Sequence, residues 1–248
     1  MSYKGIIFDV DGTAVPLGAV KADDRLRQSI RNAQATIALA AATGRSFGYA
    51  HPVFQSLGLT CPSIIMGGSA IIDPITDEIV WGNPMEKSQS DVVFEVLPKY
   101  QATVRFSTNP VQKNELWDRA NVAEPIYTIW VDEMKPDAAS KLTKEIVAIP
   151  GVIAHSAPSW LEGLVDVHIT HAEATKEHAV HVLIEKLGLQ SVEVIGVGDS
   201  GNDVPIFRAV GHKVAMENGT AELKALADEI APPLEEGGLA HIIDKYSV

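Results

Sequence analysis

The sequence predicts an α/β protein: a mainly parallel sheet with helices on its faces, interrupted by an inserted α+β segment. Three observations carry this. Short apolar runs, among them Gly5-Ile6-Ile7-Phe8 and Val192–Gly198, stop at turns rich in Asp, Gly and Ser or Thr, as buried parallel strands do. Helical stretches alternate with such runs at both ends of the chain. From about Gly82 to Thr170 that rhythm gives way to separate helices and alternating β-rich runs.

In order along the chain, residues 5–9 read as a strand and 14–22 as an irregular loop. Asp23 or Asp24 can cap a helix running to about Ala35. Thr36–Ala42 reads as the second strand, ending in Thr43-Gly44-Arg45. A helix follows over 46–57, in which Pro52 belongs near the start or at a kink. Ser63–Met66 is a third short strand, and Ile71-Ile72 with Ile79-Val80-Trp81 flank Pro74–Asp77 as a small hairpin. In the inserted segment, helices are expected at 86–100 and 136–147 and β-rich runs at 102–107, 126–132, 151–156 and 164–169. A helix over 175–187 restores the α/β rhythm. The strand 192–198, a helix at 203–210, a strand at 212–215 and a helix at 220–227 complete it.

Bulk properties narrow the function. The chain has 248 residues, 46 % of them hydrophobic, enough for a real core. A net charge of −12 repels nucleic acid and anionic lipid, so neither is an expected partner. An anionic substrate then needs local positive groups or a metal. Cys61 is the only cysteine, so no internal disulfide forms and a reducing, cytoplasmic setting is expected. No segment has secretory character and no apolar run spans a bilayer, so no membrane partner is expected. Asn218-Gly219-Thr220 is a chance glycosylation match.

The chemistry gathers at strand ends. Asp9 and Asp11 sit one residue apart in Phe8-Asp9-Val10-Asp11-Gly12-Thr13, at the carboxyl end of the first strand, where open α/β sheets keep their ligand crevices. Two acids this close raise a pKa unless a divalent cation or a shared proton relieves them. The plain alternative is an Asp-Gly turn. Asp199 and Asp203 form a second acidic pair past another buried strand. The four could meet around one cation, and all-oxygen ligation favours Mg²⁺ over zinc. Thr43 and the Gly44 amide, at the mouth of a helix, can grip a phosphate oxygen. Arg45 suits a phosphate or a carboxylate, or is solvated. Lys176 begins a helix, where a cation is unfavourable without an anionic partner. His168 and His171, like His178 and His181, are three apart, but the first pair falls in a strand and the second on an amphipathic helix, so neither reads as a metal site.

The ordered set DxDGT, Thr-Gly-Arg, Lys and GDxGND resembles the haloacid dehalogenase-like phosphohydrolase superfamily, over about two thirds of the chain. Ala42–Arg45, Gly198–Asp203, Val214–Asn218 and Glu236-Gly237-Gly238 resemble its Cof-type, sugar-phosphatase-like branch, which includes phosphoglycolate phosphatases of archaeal type and sucrose-phosphate phosphatases. The resemblance implies a Rossmann-like three-layer core over 1–82 and 170–248, with an α+β cap over 83–169. It implies two-step phosphoryl transfer: Asp9 as nucleophile forming an aspartyl phosphate, and Asp11 as acid and then base. Mg²⁺ would be held by Asp9, the Asp11 main chain, Asp199 and Asp203, with Asn202 on the ion or its waters, and Thr43, Gly44 and Lys176 on phosphoryl oxygens. The substrate would be a small phosphorylated metabolite, its leaving group chosen by the cap, where Arg105, Lys113, Trp160 and His168 are candidates. Gly67-Gly68-Ser69 stands where many relatives have Asn-Gly-Ala, Glu177 where Gly often follows the Lys, and Ala14 where Leu is usual. These departures bear on the substrate, not on the reaction class. A phosphomutase is the nearest rival and a non-catalytic phosphate- or sugar-binding module the rival from another class.

Overall fold

The protein is described from a computed structural model covering residues 3–112, 115–116, 124–159 and 161–247. In chain order the elements are β1 (Gly5–Phe8), α1 (Asp24–Ala33), β2 (Ala38–Ala41), α2 (Phe47–Leu57), β3 (Ser63–Ile65), β4 (Ala70–Ile72), β5 (Ile79–Gly82), α3 (Lys87–Val96), β6 (Thr103–Ser107), β7 (Glu115–Leu116), β8 (Thr128–Met134), α4 (Pro136–Ile146), β9 (Val152–Pro158), β10 (Val165–His171), α5 (Lys176–Lys186), β11 (Val194–Gly198), α6 (Val204–Ala209), β12 (His212–Met216), α7 (Ala221–Leu226), β13 (Glu229–Ala231) and α8 (Gly238–Tyr246). They fall into two compact units, Met1–Trp81 with Thr175–Val248, and Gly82–Ala174. Among the described residues no helix is long and apolar enough to cross a membrane.

The first unit is built on a five-stranded sheet in the order β13-β12-β11-β1-β2, parallel throughout. Strand β1, between β11 and β2, is apolar end to end because both faces are covered; Ile6, Ile7 and Phe8 are fully buried. Ala179, Val180, Leu183 and Ile184 of α5 pack with Ile7, Ala40, Ile64, Val194 and Ile206. Helix α1 is capped by Asp23, whose side chain accepts from the Leu26 amide at 2.9 Å, and buries Leu26, Ile30 and Ala33. The parallel register aligns Phe8 with both Ala41 and Val197, and Gly198 with Ala215. The segments after β1, β2, β11 and β12 therefore emerge along one edge of the sheet.

Three details differ from expectation. Strand β3 pairs antiparallel with β4 and meets the end of β2 through a parallel Ala42–Ile64 bridge, with Thr43 N donating to the Ile64 carbonyl and Ala41 N to Ser63 Oγ, both at 3.0 Å. Of the two places expected for Pro52, the helix start or a kink, the start is not the one found: it is the sixth residue of α2. The sequence reading ended at the helix over 220–227, yet the chain goes on through β13 and α8. Leu239, Ala240, Ile242 and Ile243 of α8 are buried.

The second unit is a five-stranded sheet in the order β7-β6-β8-β10-β9, with antiparallel neighbours. One face packs Val104, Phe106, Ile129, Val131, Val167 and Ile169 against Val93 of α3 and Ala139, Leu142 and Ile146 of α4. Strand periodicity turns their neighbours to the opposite face. There Arg105, Trp130, His168 and His155 stand in cross-strand register on four consecutive strands. Arg105 makes a two-pronged pair with Asp132, at 2.6 and 2.7 Å. Of the leaving-group candidates, Lys113 and Trp160 lie outside the described residues.

Candidate active site

Strand β1 hands the chain to a tight turn. The Asp9 amide still donates to Val197 at 3.0 Å, continuing the sheet, while Ala14 and Val15 both donate back to the Val10 carbonyl at 2.9 and 3.0 Å. The turn needs a glycine at its apex. Gly12 has φ +79°, and a Cβ there would lie 2.3 Å from Asp199 Oδ2. The absence of a side chain thus lets the loop after β1 meet the loop after β11. Asn218, past the end of β12, fastens the same apex. Its Nδ2 donates to the Gly12 carbonyl at 2.9 Å and its Oδ1 accepts from Leu234 N at 2.8 Å.

Three carboxylates meet in this corner. One oxygen from each of Asp9, Asp199 and Asp203 lies within 4.8 Å of the others. Lys176, the first residue of α5, is buried with them and binds Asp9 Oδ1 at 2.6 Å and Asp203 Oδ1 at 2.9 Å. Its anionic partners are these two aspartates. The other Asp203 oxygen accepts from the Asp199 and Ser200 amides at 3.0 and 3.1 Å, so Asp203, wholly buried, shapes the loop after β11.

The electrostatics follow from burial and crowding. Burial pushes the Asp9 carboxyl up to about 7; Lys176 pulls against this, while Asp203 and Asp199 add to it. Asp199 is pushed up to about 6 by burial and by Asp203. Burial also works against charge on Lys176, but Asp9 and Asp203 outweigh it and hold that ammonium above the ordinary lysine range. One buried lysine does not balance three acids. Among the described residues, buried Asp199 Oδ1 has no hydrogen-bond partner, nor has Thr13 Oγ1. An orphaned carboxylate oxygen among crowded acids is a donor set suited to a hard cation.

The remaining predicted residues divide. Thr43 is buried at the end of β2, with its Oγ1 accepting from the Arg45 amide at 3.1 Å. Gly44 is exposed, and a Cβ there would meet nothing within 4 Å. Asn202 is exposed on the turn at Gly201–Asp203. Asp11 is not among the three clustered acids. Both of its oxygens face Arg45, at 2.8 Å to Nε and 2.5 Å to Nη2, and Oδ1 also accepts from Gly18 N at 2.9 Å. Burial favours the neutral form of Asp11, but the Arg45 and Gly18 bonds prevail and hold its carboxyl below the usual range. The sequence shows Asn218 as part of a resembling segment and of a chance glycosylation match, not as a site residue. Its place after a parallel strand, on the edge that carries Asp9 and Asp199, was the available signal.

Comparisons with known proteins identify the family. The sequence profile of the haloacid dehalogenase-like hydrolases matches residues 6–115 and 101–243. The chain belongs to that family. The Bacillus subtilis protein named "Putative phosphatase YkrA" is 25 % identical over 265 residues, 100 % of this chain and 99 % of its own. Phosphoglycolate phosphatase 1 of Saccharolobus solfataricus is 39 % identical over 79 residues, 32 % of this chain and 35 % of its own. A haloacid dehalogenase-like hydrolase from Bacteroides thetaiotaomicron superimposes with TM-score 0.81 at 21 % identity, over 98 % of this chain and 99 % of its own. The subclass IIB sugar phosphatase BT4131 does so with TM-score 0.73 at 19 % identity, over 98 % of each chain. This hydrolase is of phosphatase type.

Proposed function

We propose that this phosphatase is Mg²⁺-dependent and hydrolyses a small phosphorylated metabolite, of sugar-phosphate or phosphoglycolate type, through an aspartyl phosphate on Asp9. The observation that carries the reading is the meeting of buried Asp9 and Asp203, both bound to Lys176, with half-buried Asp199, whose Oδ1 has no hydrogen-bond partner among the described residues. The names of the relatives support the substrate class. The single cysteine, Cys61, supports a reducing, cytoplasmic setting.

Asp9, Asp199, Asp203 and the Asp11 main chain would hold the ion, with Asn202 near it. When bound, it supplies positive charge that keeps the acids ionised and neutralises phosphoryl oxygens. An Asp9 oxygen attacks phosphorus in line and the bond to the leaving oxygen breaks. Asp11, which must first take up a proton against the pull of Arg45, gives it to that oxygen. Water then attacks the phosphorus, Asp11 takes a proton from it, and Asp9 departs as a carboxylate. Lys176 holds Asp9 in place, and Thr43, the Gly44 amide and Lys176 offset the phosphoryl charge. Positioning and charge supply most of the acceleration in such a transfer. We assign the choice of leaving group to the inserted segment 83–169.

A phosphate-release screen over small phosphorylated metabolites, with Mg²⁺ and with excess EDTA, tests this. Turnover of at least one sugar phosphate or phosphoglycolate, abolished by the chelator, is expected. Undiminished activity in EDTA would refute the metal, and no phosphate release from any sugar phosphate or phosphoglycolate would refute the substrate class.

A further inference from the structure

In the sequence, Arg45 is a candidate for the substrate phosphate. Its surroundings say otherwise. The guanidinium meets the Asp11 carboxylate edge to edge, with Nε on Oδ2 at 2.8 Å and Nη2 on Oδ1 at 2.5 Å. Its third nitrogen, Nη1, donates to the Ala19 carbonyl at 2.9 Å and to the Tyr49 carbonyl at 3.3 Å. All three nitrogens are thus engaged, and the side chain is 11 % exposed. The Met66 amide donates to the Arg45 carbonyl at 2.9 Å, fixing the backbone beneath it. Two parallel bonds to a planar carboxylate fix its rotation as well as its position, which a single ammonium cannot do. The Ala19 contact also ties the loop after β1 to the start of α2.

We infer that Arg45 is a positioning residue that acts through Asp11, orienting the carboxylate that handles the proton, and that it does not hold the substrate phosphate. The inference rests on the proposed roles of Asp9 and Asp11. It assigns the third residue of the Thr43-Gly44-Arg45 turn to the proton transfer, while Thr43 and Gly44 stay with the phosphate.

The test is a double-mutant cycle on the full chain, with Arg45→Gln, Asp11→Asn and the pair, followed by the rapid-quench burst of leaving-group release. It compares an alkyl phosphate, whose departing oxygen needs a proton, with p-nitrophenyl phosphate, whose leaving group does not. Arg45→Gln is expected to slow the alkyl burst by on the order of 10²-fold, the scale of a positioned proton donor, and the aryl burst far less. KM stays nearly constant, and the double variant is no slower than Asp11→Asn alone. Arg45→Lys, a milder change that keeps the charge but loses the fork, is expected to behave like Arg45→Gln. The inference is overturned if the losses multiply in the double variant, if KM rises and Arg45→Lys restores it, or if alkyl and aryl bursts fall equally. Asp9→Asn serves as the separate control. Turnover in that variant defeats the reading of the whole site, whereas an inert Asp9→Asn with multiplying losses defeats the role of Arg45 alone.

Discussion

At the scale of single residues, the site is a problem of crowded charge and limited space. Lys176 is buried in a helix's first turn, an unfavourable place for a cation, and stays charged because Asp9 and Asp203 face it at 2.6 and 2.9 Å. Gly12 serves space rather than charge. Gly12→Ala adds a methyl group 2.3 Å from Asp199 Oδ2 at φ +79°, so backbone strain and displacement of Asp199 come together. We expect this substitution to cost about 1–3 kcal/mol in urea unfolding and to weaken Mg²⁺ binding at least tenfold by calorimetry. Unchanged affinity would mean that Asp199 does not depend on the open apex. Much of this corner was legible in the sequence, because paired acids after apolar runs have few other uses. The partner of Arg45 was not. The sequence allowed phosphate, carboxylate or solvent, and only folding of the loop after β1 brings Asp11 against it.

At the scale of elements, strong period-2 and period-3.6 patterns carried the reading, and the misses have physical causes. Strand β13 is only three residues long and stands at the sheet edge, with Ile230 exposed. Helix α8 opens at Gly238, after Pro232-Pro233 and Gly237, a stretch that reads as loop, although Leu239, Ile242 and Ile243 keep helical spacing. The sheet of the inserted unit allows a prediction of its own. Burial pushes the His168 imidazole down to about 4, helped by His155 on β9 and by Arg105 on β6; Asp166 and Asp132 oppose them. Trp130 of β8 packs edge-on against the ring. A histidine depressed in the fold contributes stability that is present above its unfolded value near 6.5 and is lost as pH falls through about 4. His168→Asn should therefore flatten the loss of stability between pH 6.5 and pH 4 in denaturant titrations. An unchanged slope over that window would show that His168 is not the titrating group.

At the scale of the whole molecule, a chain of net charge −12 draws four loops to one edge of a parallel sheet and concentrates acids there. The topology explains why distant segments meet: β1 lies between β11 and β2, so the ends of all three strands are neighbours. A cation bound only by the folded chain stabilises it in proportion to ln(1 + [L]/Kd), about 2.7 kcal/mol at a hundredfold excess over Kd. Saturating Mg²⁺ should raise Tm by several degrees in the native chain and by much less in Asp199→Asn, as read by scanning calorimetry. Equal shifts in the two proteins would place the ion elsewhere.

The central claim is that Asp9 accepts the phosphoryl group. Acid quenching during turnover of p-nitrophenyl phosphate with Mg²⁺, followed by peptide mapping, measures this directly. The account predicts an acyl phosphate on the peptide carrying Asp9, absent from Asp9→Asn. A phosphoryl group on another residue, or an Asp9→Asn protein that still turns over, would contradict it.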